Sequence, residues 1–328
     1  NASLSMVNQP GTLKGSEFKR YNATLDLTSQ VNNWVKFGMY FTGSRSNRQE
    51  TRQGDTDAYL STISQAPTYM PWLPDDGTGI RRYASKAFSF ESNNKNMVAI
   101  VETENFKTTV NTDVNAQAWL EVNPIKGLTW YTKGAMRYKQ QHDKVWGALP
   151  TPIYYYHDGK QNGTLNTGGT GLTSTMNNSS YYNLYTYLKY DWATPNKEHD
   201  FSVMAGYNLE YYKLDKLEGY RQNYDFPLHE LETGISSVQT NTGKSEEWGI
   251  MSAFFRANYA FKQRYLLEVN ARYDGSSRLA DGHKWVLFPS AALAWRISDE
   301  SFMKSLSWVD NLKLRLGYGK TGNSSVDP

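Results

Sequence analysis

From Tyr265 to Tyr273 the chain reads YLLEVNARY. Tyr265, Leu267, Val269, Ala271 and Tyr273 take alternate positions, with Leu266, Glu268, Asn270 and Arg272 between them. Strict alternation marks an extended strand with unlike faces, because successive side chains of a strand point to opposite sides. The pattern recurs and predicts strands near 2–9, 17–29, 33–47, 109–122, 128–141, 180–192, 200–219, 246–261, 265–274, 285–297 and 311–320, eleven in all. Most are much longer than the roughly five or six residues usual in soluble sheets. They are long enough for the about 9–11 residues that cross a bilayer at a tilt.

The two faces differ sharply. One register holds Tyr21 to Leu27, Val110 to Val122, Leu128 to Tyr138, Tyr265 to Tyr273 and Leu312 to Tyr318 at every second position, and carries no charge. The opposite register carries Arg20, Asp26, Asp113, Glu121, Lys133, Arg137, Lys139, Glu268, Arg272, Asp274, Lys313 and Arg315. A soluble sheet with one face on a core shows the same contrast, so three further features decide. Thr112, Thr132, Gly134 and several alanines make the uncharged face too thin for an interdigitated core. Aromatic residues mark its ends, with Trp130, Tyr190, Trp192, Tyr259, Phe261 and Tyr265 near short links and Tyr138, Tyr182, Tyr273 and Tyr318 near long ones. Two such belts are what amphipathic rings form at two membrane interfaces. Finally, no second set of segments is present to cover that face. The uncharged face is expected to meet lipid.

Link lengths agree. Short links at 30–32, 123–127, 193–199 and 262–264, and a longer one at 298–310, alternate with long ones at 48–108, 142–179, 220–245 and 275–284. An up-and-down barrel with tight turns at one end and long external loops at the other sorts its links this way. An open sheet edge in hydrocarbon leaves backbone groups unpaired at several kcal/mol each, so closure is required. Eleven strands is odd for a closed single-chain barrel, and Asn1 opens directly on the alternating stretch NASLSMVN. The expected fold is therefore all-β, an antiparallel transmembrane β-barrel of which residues 1–328 form roughly half of about 22 strands.

Composition fits this fold and narrows the rest. Among 328 residues are 24 Tyr and 10 Trp, with a mean hydropathy of −0.68, and no stretch approaches an 18-residue apolar helix. Cysteine is absent, which excludes disulfide scaffolds and thiolate metal sites. A net charge of +3 without a Lys/Arg block argues against nucleic acid as a partner. No GxSxG occurs, and His142, His157, His199, His229 and His283 are expected in links or at strand edges. No nucleophile and base are arrayed together, so an enzyme is not expected.

Several stretches carry a specific resemblance. Asp274-Gly-Ser-Ser-Arg278, Phe288-Pro-Ser290, Ala294-Trp-Arg-Ile-Ser298 and Leu312-Lys-Leu-Arg315, running to Tyr318-Gly319 and Thr321-Gly-Asn323, resemble the barrel of SusC/RagA-type TonB-dependent outer-membrane transporters. Residues 11–44 look like a hairpin from the first part of that barrel, and 49–245 correspond to its variable loops. The resemblance implies active import of a nutrient, an oligosaccharide in most members and a peptide in some. It also implies a SusD-like surface lipoprotein as lid and coupling to TonB. A passive porin is the alternative. No plug or TonB box is recognised in residues 1–328, and no cofactor is implied.

The long loops concentrate aromatic residues. APTYMPWLPDDG (66–77) and PTPIYYYHDGK (150–160) hold Tyr69, Trp72, Tyr154, Tyr155 and Tyr156, and Trp146 lies close by. These are the candidate substrate contacts, because sugar rings present C–H faces that stack on aromatic planes. Packing of the loops, or contact with the lipoprotein, is the competing role. Asp113, Glu121, Lys133, Arg137, Glu268 and Arg272 are expected to face the lumen, where cross-strand pairing and plug contacts are favoured over substrate binding. Asp55 with Asp57, and Asp75 with Asp76, match no calcium-loop spacing, so no metal site is expected.

Overall fold

The computed structural model describes residues 1–52, 56, 59–60, 63, 70–86, 96–103, 105–147, 151–165, 170–303 and 308–322. Eleven strands form one antiparallel sheet in sequence order: β1 (Ala2–Pro10), β2 (Glu17–Gln30), β3 (Val35–Glu50), β5 (Phe106–Val122), β6 (Leu128–Gly147), β9 (Gly171–Ala193), β10 (His199–Gln222), β11 (Gln239–Phe261), β12 (Tyr265–Ser276), β13 (Trp285–Arg296) and β14 (Lys313–Gly319). The missing numbers belong to a small second sheet. There β4 (Tyr83–Lys86) runs parallel to β7 (Pro152–Tyr155), and β8 (Gln161–Thr164) closes it antiparallel to β7. A short helix, α1 (Met97–Glu102), precedes β5.

All eleven expected strands are present, and none is added to the main sheet. Their ends differ from expectation in a consistent way. Strand β9 starts at Gly171 rather than near 180, β10 runs to Gln222, β11 starts at Gln239, and β6 runs to Gly147. Every extension lies at the long-loop end. Stretches such as GLTSTMNNSS (171–180) lose alternation because neither face there has hydrocarbon to meet, yet their backbones still pair. His142 is consequently inside β6, not in a link, with Nε2 2.9 Å from Ser174 Oγ. A further tight link, 11–16, also lies at the long-loop end and joins β1 to β2.

The opposite end is built from compact turns. Between β11 and β12, Arg264 N–H donates to Phe261 O at 2.9 Å, with Lys262 and Gln263 at φ of 50° and 57°. Two consecutive positive φ values give the primed turn whose twist matches a right-handed hairpin. Between β2 and β3, Asn32 Oδ1 accepts from the backbone N–H groups of Trp34 and Val35.

Register fixes which residues share a face. Leu25 pairs with Phe41, Phe41 with Ala116, Ala116 with Met136, Met136 with Tyr182, and Tyr182 with Tyr211. The uncharged register of each strand therefore joins that of its neighbours into one continuous surface. It is open: Leu188 is 55% exposed, Leu293 57% and Leu184 44%. Among the described residues no helix or second sheet lies across this surface between its two rows of rings.

Those rows are tangible. At the short-turn end Trp192 stacks on Phe201 (ring centroids 5.4 Å apart) and Phe201 on Tyr259 (4.7 Å). The row continues through Phe261 and Tyr265 (6.2 Å) to Trp295 (6.3 Å). At the other end Tyr182 faces Tyr211, and Tyr273 stacks on Trp285 at 5.0 Å. Gly275 makes room for that indole, since a Cβ there would sit 2.7 Å from the Trp285 ring. Trp130 and Tyr138, Tyr190 and Tyr182, and Tyr265 and Tyr273 are each eight residues apart. At about 3.3 Å per residue this is ~26 Å along the strand, or about 20 Å along the membrane normal at a tilt near 40°, close to the roughly 25 Å apolar band of an outer-membrane barrel.

Candidate functional site: the charged face and the long-loop end

The charged register lies opposite the open apolar surface, and several of its ions are paired. Arg137 on β6 and Asp113 on β5 form a two-pronged bridge, with Nε–H donating to Oδ1 at 3.1 Å and Nη2 to Oδ2. Arg272 Nε donates to Asp274 at 2.7 Å, and its Nη2 to Ser252 Oγ at 2.8 Å. Glu268 accepts from Asn270, whose Oδ1 accepts from Arg256. Glu121 accepts from Asn123 and lies 3.9 Å from Lys36. Of the six charges singled out in the sequence, Lys133 and Glu268 make no ion pair among the described residues, Glu268 being held by the Asn270 amide instead.

The same face carries rings that alternation alone did not single out. Trp119 on β5 stacks with Tyr131 on β6 (6.0 Å, 21°), and Tyr131 stacks with Tyr187 on β9 (5.2 Å, 23°). Tyr185, also on β9, is 5.7 Å from Tyr187 and stacks on Phe254 of β11 (5.2 Å, 9°). The outer members cross glycines: a Cβ at Gly38 would fall 2.3 Å from Trp119 Nε1, and one at Gly206 2.3 Å from Phe254 Cζ. Nearer the long loops, Trp248 stacks on Tyr212 at 5.4 Å under the guanidinium of Arg278 at 4.7 Å. A polar tier separates the two groups, in which Asn183 donates to Asn208 and both Asn208 and Tyr181 donate to Glu210. These rings escaped attention because the charges of their register dominated the reading.

At the long-loop end, two stretches some 70 residues apart in sequence meet. The parallel β4–β7 pair and the Trp72–Tyr83 bridge bring 70–77 beside 151–160. Trp72 is 44% exposed with Arg81 over its face at 5.0 Å. Arg81 in turn binds Glu102 at 2.6 Å, and Tyr83 O–H donates to the other oxygen of Glu102 at 3.0 Å. The Arg81 hydrogen bond holds the Glu102 carboxyl below its ordinary range, and burial, then Glu102, pushes the Tyr83 hydroxyl up. Arg82 lies 5.9 Å from the Tyr154 ring and bridges Asp76 at 3.2 Å. Tyr155 caps its turn by donating N–H to Lys160 O, and Tyr156 follows, half-buried.

Asn96 ties this unit together. It is almost wholly buried; Nδ2 donates to Pro71 O and Ala84 O, both at 2.6 Å, while Oδ1 caps α1 by accepting from Ala99 N–H. Met97 and Ile100 of that helix pack on Leu13 and Leu165, fixing the unit to the β1–β2 link. Tyr69, Asp55 and Asp57 lie outside the described residues.

One candidate needs correction. Trp146 is fully buried in a small core with Leu172, Tyr224, Phe106 and Leu231. Segment 223–238 folds over it, held by Lys144 Nζ to His229 O and Glu230, and by Arg221 to the carbonyls of Glu232 and Gly234. A ring with no exposed surface stacks on no ligand, so Trp146 is a loop-core residue. Among the described residues no cluster of His, Asp and Glu has the arrangement of a metal site.

Comparison with known proteins matches this architecture. Residues 61–327 match the family model described as TonB dependent receptor-like, beta-barrel. The chain is 27% identical to TonB-dependent receptor P39 of Formosa agariphila over 323 residues, covering 98% of this chain and 29% of that protein. It is 25% identical to TonB-dependent receptor SusC of Bacteroides thetaiotaomicron over 342 residues, covering 99% of this chain and 32% of SusC. The RagAB peptide transporter structure superimposes with a TM-score of 0.73 at 18% identity, over 99% of this chain and 35% of that one. The chain thus spans about three tenths of the length of the curated relatives it matches. Eleven antiparallel strands, an uncovered apolar surface between two aromatic rows and this set of relatives have one reading: the chain belongs to the TonB-dependent receptor β-barrel family, and is an outer-membrane barrel portion of the SusC/RagA type.

Proposed function

We propose that the whole polypeptide imports a nutrient across the outer membrane in a TonB-dependent manner, that its cargo is an oligosaccharide, and that a SusD-like surface lipoprotein closes over the long-loop end. On this reading the charged face lines the interior, and the β4–β7–β8 unit stands where cargo arrives. The observation that carries the cargo class is the convergence there of Trp72, Tyr83 and Tyr154 with Arg81, Arg82 and Glu102. An exposed indole and half-buried tyrosine rings beside fixed hydrogen-bonding groups suit sugar faces and their hydroxyl rims. Peptide is the alternative cargo, the one named for the RagAB importer. The relatives are receptors and transporters, and we assign the chain no enzymatic step.

The test is uptake by cells carrying the full-length protein, given fluorescently tagged oligosaccharides or peptides, with and without TonB. Oligosaccharide uptake that disappears without TonB is expected; uptake that persists indicates a passive porin. Trp72→Ala and Tyr155→Ala should each lower uptake at limiting substrate several-fold, with the amount of assembled barrel unchanged. Unaltered uptake in both variants removes the loop unit from the capture site.

A further inference from the structure

Along β3, every second residue from Met39 to Gln49 belongs to the register of the open apolar surface, and the series reads Met39, Phe41, Gly43, Arg45, Asn47, Gln49. Apolar side chains give way to a guanidinium and then to two amides. Arg45 pairs in register with Tyr21 of β2, one step above the rung that joins Gly43 to Val114 and Tyr138. Rings of the upper row sit at headgroup level, and so does this guanidinium. It is exposed, and among the described residues it makes no ion pair or hydrogen bond. Lys19, opposite Asn47, is a second cation and is bridged to Glu17 at 2.8 Å. Above Tyr21 and Tyr138, Glu17 is the one carboxylate that β1, β2, β3, β5 and β6 place in this outer register among the described residues. Below Arg45 lies an apolar trough with Leu25, Met39, Phe41, Ala116 and Met136 in its lining. Above it lies a polar cavity of about 530 Å³, lined by Lys14, Gln49, Thr103, Asn105, Thr108 and His229. Gln49 and Thr108 are direct partners in the outer register, so the cavity rests on the outside of the sheet. From Phe41 to Gln49 is ~26 Å along the strand, or about 20 Å along the membrane normal.

We propose that this outer strip of β2, β3 and β5 docks a phosphorylated glycolipid of the outer leaflet. Its acyl chains lie in the trough, its phosphate on Arg45 and Lys19, and its core sugars in the cavity. The order of three chemistries along one strand carries the assignment, because it is the order in which such a lipid presents them from the bilayer outward. A guanidinium grips phosphate through two parallel N–H donors, and basic groups beside a membrane select anionic headgroups. A phospholipid satisfies the trough and the cations but has no sugars to fill the cavity. Core sugars offer hydroxyls that donate to and accept from the amides and hydroxyls there. The strip faces away from the barrel interior, so the inference does not depend on the cargo or on what else occupies that interior.

The test uses the full-length protein, purified from its outer membrane in dodecyl maltoside, stripped of lipid and confirmed as folded by its heat-modifiable shift. It is given rough lipopolysaccharide, lipid A or phosphatidylglycerol, and retained lipid is counted by native mass spectrometry. Wild type should retain lipopolysaccharide and lipid A in preference to phosphatidylglycerol. Arg45→Glu should lower retention of both by about tenfold, and Arg45→Lys should keep part of it. Arg45→Gln removes the charge with less disturbance and stands in if glutamate at this level blocks assembly. The Q49A/T108V double variant should lose lipopolysaccharide severalfold while lipid A, which lacks the core sugars, stays near the wild-type amount. Wild-type retention in Arg45→Gln overturns the proposal, as does a wild-type protein that retains no lipopolysaccharide. Phosphatidylglycerol held as well as lipopolysaccharide also overturns it, leaving Arg45 as a general interfacial anchor. A Q49A/T108V variant that keeps all its lipopolysaccharide refutes the sugar assignment of the cavity and the glycolipid with it.

Discussion

Glu300 shows how one carboxylate organises the short-turn end. It lies in the link between β13 and β14 and accepts from Tyr265 O–H at 2.7 Å, Arg264 Nη1 at 3.0 Å and Trp295 Nε1 at 3.1 Å. Two donors are rings of the lower aromatic row, so Glu300 orients them while docking the link. The Tyr265 and Trp295 hydrogen bonds, then Arg264, hold its carboxyl below the ordinary value. A folded-state pKa below the unfolded one contributes stability that is fully present above the unfolded value, about 4.3 for Glu. That contribution is lost as pH falls through the folded value. Glu300→Gln should therefore unfold at lower denaturant concentration than wild type at neutral pH, and the gap should close on acidification below about pH 4. Denaturant midpoints measured from pH 7 to 3 check this, and a gap that stays constant to pH 3 refutes it. Ala294–Ser298, just upstream, was recognisable in the sequence as part of the family resemblance. That Glu300 serves two rings and a guanidinium from two strands was not, because Arg264 and Tyr265 lie some 35 residues away in the chain.

Individual strands were read most successfully where lipid imposes the pattern. Residues 265–274 were placed almost to their ends, because hydrocarbon on one side and polar neighbours on the other force every second residue to differ. Past the upper row the constraint lapses, and β9, β10 and β11 continue as polar ribbons whose pairing leaves no trace in hydropathy. The loop unit was half legible. Its rings stood out in 66–77 and 150–160, but the parallel β4–β7 pairing and the Asn96 clamp join segments too far apart in sequence for a local pattern. Trp146 was misread for the same reason, since a loop tryptophan gives no sign of what folds over it. Its burial leads to a prediction at the level of that element. Trp146→Ala should remove the centre of the core beneath 223–238, at about 3–5 kcal/mol of local stability. Amide exchange and protease cutting in 223–238 should rise by more than tenfold, with the heat-modifiable electrophoretic shift of the barrel intact. Protection unchanged in that segment would show that its backbone bonds to Arg221 and Lys144 hold it without the indole.

At the scale of the molecule, two neighbouring residues separate the membrane reading from any soluble one. Ala118 of β5 is equally far from the level of Trp130 and that of Tyr138, and its neighbour Gln117 points to the opposite face. Ala118 lies between Met39 and Gly134 on the open apolar surface; Gln117 belongs to the charged register beside Tyr40 and Ala135. A soluble sheet exposing its apolar side to water would tolerate lysine at Ala118 with little cost. A bilayer against that side makes the same substitution cost about 2–4 kcal/mol, because the midplane is where an ammonium is least solvated. The charge of Gln117→Lys instead enters a face already furnished with Asp113, Glu121 and Arg137. Expressed in the full-length protein, Ala118→Lys should reduce heat-modifiable barrel in the outer membrane severalfold, and Gln117→Lys should leave it near the wild-type amount. Equal assembly of the two variants would mean that the apolar side is not wetted by lipid, and the importer reading would lose its footing. A defect confined to Ala118→Lys fixes the inside and outside of the barrel from a single step along one strand. The rings of Trp119 and Tyr131 would then face the passage, and Leu120 and Trp130 the membrane.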